Sequence, residues 1–383
     1  MTETFDAIVI GAGAMGSAAS YYMSKRGQKA LLLEQFELDH RNGSSYGHSR
    51  IIRYCYDRSE YVELAKDNYP LWFAAQEELG ETLYIKTGGF DFGPADDDRL
   101  TDTLAAINAH NIEYELLSVE EAQYRFPQFR LNADFQVLYQ ADGGFIKASK
   151  AVLGHITLAK RRGATVKDRT AVERIRIKPD SVEVDTDGET YSAGTLIVTA
   201  GSWTKSLLAQ TGIDLPLVPL RCQLNFLMPD DMAAYDAANC PVWRAHVREL
   251  FSSPIYIYGL PSIDNSGFKI AWHGGQPLSH PSETDYSPDD DNVQSLREFM
   301  RAHIPGVADA ALRESRICLY TNTPDEHFII DRHPEHSHVV IGAGFSGHGF
   351  KFSTIIGKML TDIALDGGTP HQDRLFKISR FLN

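Results

Sequence analysis

Hydrophobic residues in this chain gather into short runs, and each run ends at a turn-forming residue. The first covers residues 5–10 and gives way to Gly11-Ala12-Gly13-Ala14-Met15-Gly16, so a buried strand followed by a glycine turn is expected there. Small residues continue through Ser17, Ala18, Ala19 and Ser20, which predicts a closely packed helix to about Arg26, stopped by Gly27. A second apolar run at 30–33 ends in Glu34 and completes a βαβ opening. A polar loop at 40–48 and a basic segment at 49–53 follow. Helical periodicity then covers 61–80, strand patterning 83–93, and mixed strand and turn signals 122–145. Helix is expected again at 148–162, paired strands at 171–184, and a buried strand at 195–200 ending at Gly201. Residues 216–275 are dense in aromatic and β-branched side chains, the mark of a sheet of different character. A strand at 339–344 leads into a helix from about Phe352.

Strand–glycine–helix signals therefore stand at the start, middle and end, with sheet-rich stretches between them. An α/β protein is implied: a Rossmann-like nucleotide-binding domain drawn from 1–85, 148–218 and 317–383, and a second, sheet-rich substrate domain formed by insertions at 86–147 and 219–316.

Composition excludes several classes. With 383 residues, 43% hydrophobic and 23% charged, the chain has ample material for packed cores and little for extended disorder. Its net charge of -14 repels phosphate backbones, so no nucleic-acid partner is expected. No apolar stretch approaches the roughly 20 residues of a membrane span, and no basic region precedes the first apolar run. Cys55, Cys222, Cys240 and Cys318 are widely spaced and form no CxxC pair, which points to a reducing compartment without disulfides. The closing Phe-Leu-Asn is no peroxisomal address, and a cytoplasmic monomer or small homo-oligomer is the simplest expectation. Metal-ligand spacing is absent.

The glycine fingerprint carries the first chemistry. Gly11 permits the tight turn, Gly13 lets backbone approach a pyrophosphate, and Gly16 lets the helix pack on the strand. The helix N-terminus, with Met15 in its first turn, offers amide donors to phosphate, and Glu34 offers acceptors to both ribose hydroxyls. An acid there disfavours a 2′-phosphate and hence NADP, but the motif alone does not separate FAD from NAD.

That distinction comes from the C-terminal third. The segments Arg316-Ile317-Cys318-Leu319-Tyr320-Thr321 and Gly344-Phe345-Ser346-Gly347-His348-Gly349-Phe350-Lys351-Phe352 stand with GHSRIIR at 47–53, TAGSW at 199–203 and GFKIAWH at 267–273. Taken in this order along the whole chain, they closely resemble the monomeric sarcosine oxidase and N-methyltryptophan oxidase family.

The resemblance implies an FAD cofactor held through a thioether from Cys318, with Gly344, Gly347 and the turn they form against the electron-rich edge of the flavin. By itself, a lone cysteine on a strand is more often inert packing. The resemblance also gives Arg53 and Lys351 as the pair that binds a substrate carboxylate, with Lys351 close to the flavin too. Arg50 is read as a contact to flavin or phosphate on the opposite face of an extended segment from Arg53. Lys269 matches the family lysine that activates O2 by stabilising charge as it develops on oxygen, where an isolated strand lysine ordinarily points to solvent. His273, four residues on and on the same strand face, matches the family's active-site histidine. Tyr258, before Gly259 in a YGxP turn, and Tyr320 match tyrosines that line the substrate pocket.

The implied activity is oxidation of a small secondary amino acid to an imine, hydrolysis to amine and aldehyde, and reduction of O2 to hydrogen peroxide. A fructosyl-amino-acid oxidase, a flavin dehydrogenase using another acceptor, and a non-catalytic flavoprotein subunit stand as alternatives. An NAD-linked dehydrogenase has only the fingerprint in its favour. Ser45 and Tyr46 replace the family's paired histidines, and Trp272 and Cys55 also depart from its pattern, which leaves the substrate's side chain open.

Overall fold

The computed structural model describes residues 3–246, 256–371 and 373–382. Within them the apolar runs become the centre of an eight-stranded sheet. Glu3–Ile10 lies parallel between Ala30–Leu33 and Glu189–Val198, with Thr165–Lys167 beyond the former and Val339–Ala343 beyond the latter. Central parallel strands are covered on both faces, which is why Ala7–Ile10 and Ala30–Leu33 read as continuous apolar runs rather than alternating ones. Ile329–Arg332 and the ribbon Val172–Ile177/Val182–Thr186 complete this sheet in antiparallel pairing.

Helix Ala14–Lys25 is buried along nearly its whole length, between the sheet and helices Ala148–Arg161 and Ser353–Asp366. Small residues make that possible. A Cβ on Gly357 would stand 2.5 Å from that of Ala18, so any larger residue would force the helices apart.

The second sheet has nine strands. Its long pair is Val218–Met228 against Ala311–Asn322, and Phe268–Trp272, Tyr256–Leu260, Val242–His246, Gly89–Pro94, Phe135–Gln140 and Glu115–Leu117 follow in order. A three-stranded sheet, Arg50–Ile52, Gly144–Ile146 and Tyr84–Lys86, lies apart from both. The expected α/β architecture with a second sheet is what the chain adopts.

Details differ from expectation. The boundary placed at 316/317 falls inside Ala311–Asn322, a strand paired along its length within the second sheet, and that at 85/86 falls inside Tyr84–Lys86. Helices at Asp98–Ala109, Val119–Arg125 and Asp290–His303 were not anticipated, and the second replaces the start of the mixed strand-and-turn stretch at 122–145. Each is short or strongly polar and is started by a capping side chain, from Asp97, Ser118 and Asp289. The part of the 216–275 sheet expectation that covers 247–255 lies outside the described residues. Among those described, no helix is long and apolar enough to cross a membrane, and no cluster of metal-ligating side chains occurs.

One core histidine gives an acid-sensitivity test. His155 is buried between Tyr21 and Trp72, at ring separations of 5.7 and 5.5 Å, and burial pushes its pKa down to about 4. A histidine depressed in the fold contributes stability in full above its unfolded value near 6.5, and that contribution is lost as pH falls toward 4. His155→Phe is expected to narrow the drop in urea midpoint between pH 7 and pH 4. An unchanged drop would show that this imidazole is not held neutral.

Candidate active site

The C-terminal end of the parallel sheet opens into a cavity of about 390 Å³ that continues across to the second sheet. Its lining includes Gly11, Gly13, Met15, Glu34, Arg50, Arg53, Tyr258, Lys269, His273, Cys318, Tyr320, Gly344, Gly347 and Lys351. Of the site residues expected from sequence, Gly16 alone does not line it. Its place is underneath, where an added Cβ would lie 1.8 Å from the Gly11 carbonyl oxygen.

The nucleotide half is built on the first sheet. Gly11 takes φ +93° where its turn runs against Thr199; an added Cβ would meet the Thr199 carbonyl at 2.6 Å. Helix Ala14–Lys25 starts at Gly13 with no side-chain cap of its own residue and no acid in its first turn, so its amides face the cavity. Ser45 Oγ accepts from the Ala14 amide at 3.0 Å, so one departure from the family pattern touches this terminus. Glu34 is buried, with Oε2 accepting from the Ala12 amide at 2.8 Å and Oε1 from Phe36 at 3.1 Å. The helix N-terminus free of acids, the glycine cradle and a buried acid at the next strand's end fit a dinucleotide such as FAD.

The second sheet supplies the other half. Cys318 and Tyr320 alternate on Ala311–Asn322, and Lys269 stands on Phe268–Trp272 with His273 just past its end. Tyr258 and Tyr320 place their hydroxyls 3.3 Å apart. Gly259 lies within a strand rather than a turn, and its missing side chain admits the indole of Trp243, which a Cβ would meet at 2.4 Å.

Lys269 is 2% exposed, and among the described residues its ammonium makes one hydrogen bond, of 3.3 Å, to the Ser49 carbonyl. Burial first, and then the charges of Arg50 and Arg316, push its pKa well below the ordinary lysine value. Cys318 is raised by burial, against which Arg50, Lys269 and Arg316 pull in that order. Arg50 is thus the cation that most favours its thiolate, followed by Lys269 and then Arg316. Opposite Cys318 on the neighbouring strand stands Cys222.

His273 stacks on Tyr256 at 4.3 Å and is pushed down to about 3 by burial and the nearby Lys351, Arg244 and Arg53. Burial and those three cations favour the neutral imidazole. Arg53 is 7% exposed and makes no hydrogen bond or ion pair with any described residue; its guanidinium lies 4.1 Å from the centre of the Tyr56 ring. Lys351 donates to Tyr56 Oη at 2.8 Å and to the His348 carbonyl at 2.7 Å. Its own carbonyl is pinned by Asn68 and Trp72 from helix Ser59–Leu79, which fixes the ammonium over the cavity.

Arg50 and Arg53 both line the cavity; the strand stops at Ile52, and Arg53 lies past its end. Arg50 spends its donors on the carbonyls of Ser44, Tyr46 and Ser49. Trp272 does not line the cavity and donates instead to Ser295, and Cys55 is buried with its thiol pushed up to about 12. Sequence reasoning missed Arg244, Tyr256 and His348 on the cavity wall. An arginine within the otherwise apolar run at 242–246 is the signal that was available for the first of them.

Comparison with known proteins agrees with this geometry. The family described as FAD dependent oxidoreductase matches residues 6–363. A monomeric sarcosine oxidase from Bacillus sp. (strain B-0618) is 38% identical over 386 residues, covering 99% of this chain and 97% of that protein. The peroxisomal sarcosine oxidase of Homo sapiens is 38% identical over 388 residues, covering 99% and 97%. Among solved structures, NikD, an unusual amino acid oxidase essential for nikkomycin biosynthesis, aligns with TM-score 0.86 at 26% identity, covering 99% of this chain and 97% of that one.

Proposed function

Because the chain belongs to the FAD dependent oxidoreductase family, we propose that it oxidises the secondary amine of a small N-methyl amino acid, sarcosine being the simplest, with O2 as acceptor. The observation that carries this reading is Arg53, a buried guanidinium with no hydrogen-bond or ion-pair partner among the described residues, lining the same cavity as Lys269 and Cys318. A buried cation left unpaired is costly, and a substrate carboxylate relieves that cost.

Bound FAD supplies the two-electron acceptor for the amine's C–H bond. Arg53 and Lys351 hold the carboxylate, which fixes the direction of the amine. The amine is taken up neutral, so that nitrogen presents its lone pair, and the neutral imidazole of His273 can accept a hydrogen bond from its N–H. The hydroxyl pair of Tyr258 and Tyr320 bounds the pocket beside it. The imine product is then hydrolysed to amine and aldehyde. Lys269 stands where charge develops on oxygen as peroxide forms. The first sheet carries the nucleotide and the second covers the reacting end. Retention of these cations also favours an enzyme over a non-catalytic flavoprotein subunit.

Anaerobic mixing with sarcosine and other N-methyl amino acids tests the reading: the flavin absorbance should bleach, and admitted air should restore it with formation of peroxide. A yellow protein that no amine bleaches would overturn it. For the tether, Cys318→Ser is expected to release all FAD into the supernatant on acid precipitation, where the parent chain retains it. Flavin that stays with the precipitated variant would move the attachment elsewhere.

A further inference from the structure

Arg244 is a cavity-wall cation to which the mechanism above gives no task. It stands in Val242–His246, opposite Tyr258 on one side and Asp91 on the other, and is 8% exposed. Its Nε donates to Asp91 Oδ1 at 2.9 Å, and its Nη2 donates to the second carboxylate oxygen and to the Cys55 carbonyl at 3.5 Å. Nη1 makes no hydrogen bond among the described residues.

Arg53 and Arg244 both line the cavity and a small pocket beside it, and the charges of both act on Lys351. Of these three cationic groups only Arg244 has a carboxylate partner among the described residues. A pair serving strand registry alone would have no need of a place on the cavity wall. Burial and the two arginines also press Lys351 toward its neutral form, and each anion received here reverses that.

We propose that the preferred substrate carries a second carboxylate on its side chain, received by Arg244 Nη1 while the α-carboxylate rests on Arg53 and Lys351. The class is an N-methylated acidic amino acid, with sarcosine as a minimal substrate. This inference rests on the amine-oxidase reading, and its test keeps the two apart.

The holoenzyme is titrated with 2-(methylthio)succinate and 2-(methylthio)propanoate, thioether acids with no amine to oxidise, and binding is read from perturbation of the flavin spectrum. The dianion is expected to bind at least about tenfold more tightly, the effect of a charge-assisted hydrogen bond. In parallel, kcat/KM for N-methylaspartate and N-methylglutamate should exceed that for N-methylalanine by a similar factor.

Exchanging Arg244→Met together with Asp91→Asn removes both charges without stranding either. It should bring the binding ratio to about one or below, with retained FAD reporting an intact fold. Equal or weaker binding of the dianion to the parent chain overturns the proposal, as does a ratio that survives the exchange. Oxidation of N-methylalanine with rejection of both acidic substrates overturns this inference alone, whereas failure of every amine removes the reading beneath it.

Discussion

Replacing Lys269 with methionine is expected to slow return of the reduced enzyme to its oxidised form in air by roughly 10²–10³-fold, while anaerobic reduction by substrate changes by less than about tenfold. The asymmetry follows from where charge develops. Reduction of oxygen creates negative charge that a fixed ammonium stabilises, whereas the negative charge that hydride transfer leaves on the flavin ring is the part assigned to the turn at Gly344 and Gly347. The ammonium is 2% exposed and held by one carbonyl, so little energy is needed to redirect it toward oxygen. Burial holds its pKa well below the usual lysine value, so the charged form is lost on raising the pH earlier than for an exposed lysine. Reoxidation should therefore slow as the pH rises through that depressed value, and the methionine variant should lose this dependence. Stopped-flow absorbance of each half-reaction reads both, and equal slowing of the two would remove Lys269 from the oxygen step.

Replacing Arg53 with methionine is expected to lower kcat/KM for an N-methyl amino acid by about 2–5 kcal/mol, or roughly 30- to 5000-fold, as when one partner of a buried charge pair is cut away. The loss should be specific to the carboxylate. Dimethylamine, which has none, is at best a poor substrate for the parent chain, so the ratio of sarcosine to dimethylamine should collapse while the dimethylamine rate barely moves. A variant that loses both rates together would place Arg53 in the fold or the flavin environment and not in substrate binding.

How far the chain could be read without coordinates depended on whether a signal was local. The fingerprint at 11–16 and the acid at Glu34 lie within one βαβ unit, where periodicity and turn chemistry are visible, and Ala30–Leu33 was read to the residue. Lys269, His273, Cys318 and Lys351 were found only through resemblance. Nothing in a strand's own pattern tells that a lysine between Phe268 and Ile270 faces an internal cavity rather than water. Arg244 escaped even that, because its meaning depends on Asp91 and Arg53, which arrive from distant segments. The helices at Val119–Arg125 and Asp290–His303 were legible in principle. Ser118 with Glu121, and Asp289 before two further acids, are N-terminal capping signals; after the second, Val293, Leu296, Phe299 and Met300 also recur at helical spacing, but few apolar residues stand out among the charged ones.

The strand Ala311–Asn322 has a consequence for the life history of the molecule. Its thiol at 318 belongs to one sheet and the helix start at Gly13 to the other. With the thioether proposed for Cys318, a coenzyme gripped at both would become a rivet through the two layers, fitted once and never exchanged. Each copy would then mature in a single irreversible event, and a protease that digests freshly made chains should find finished ones much harder to open.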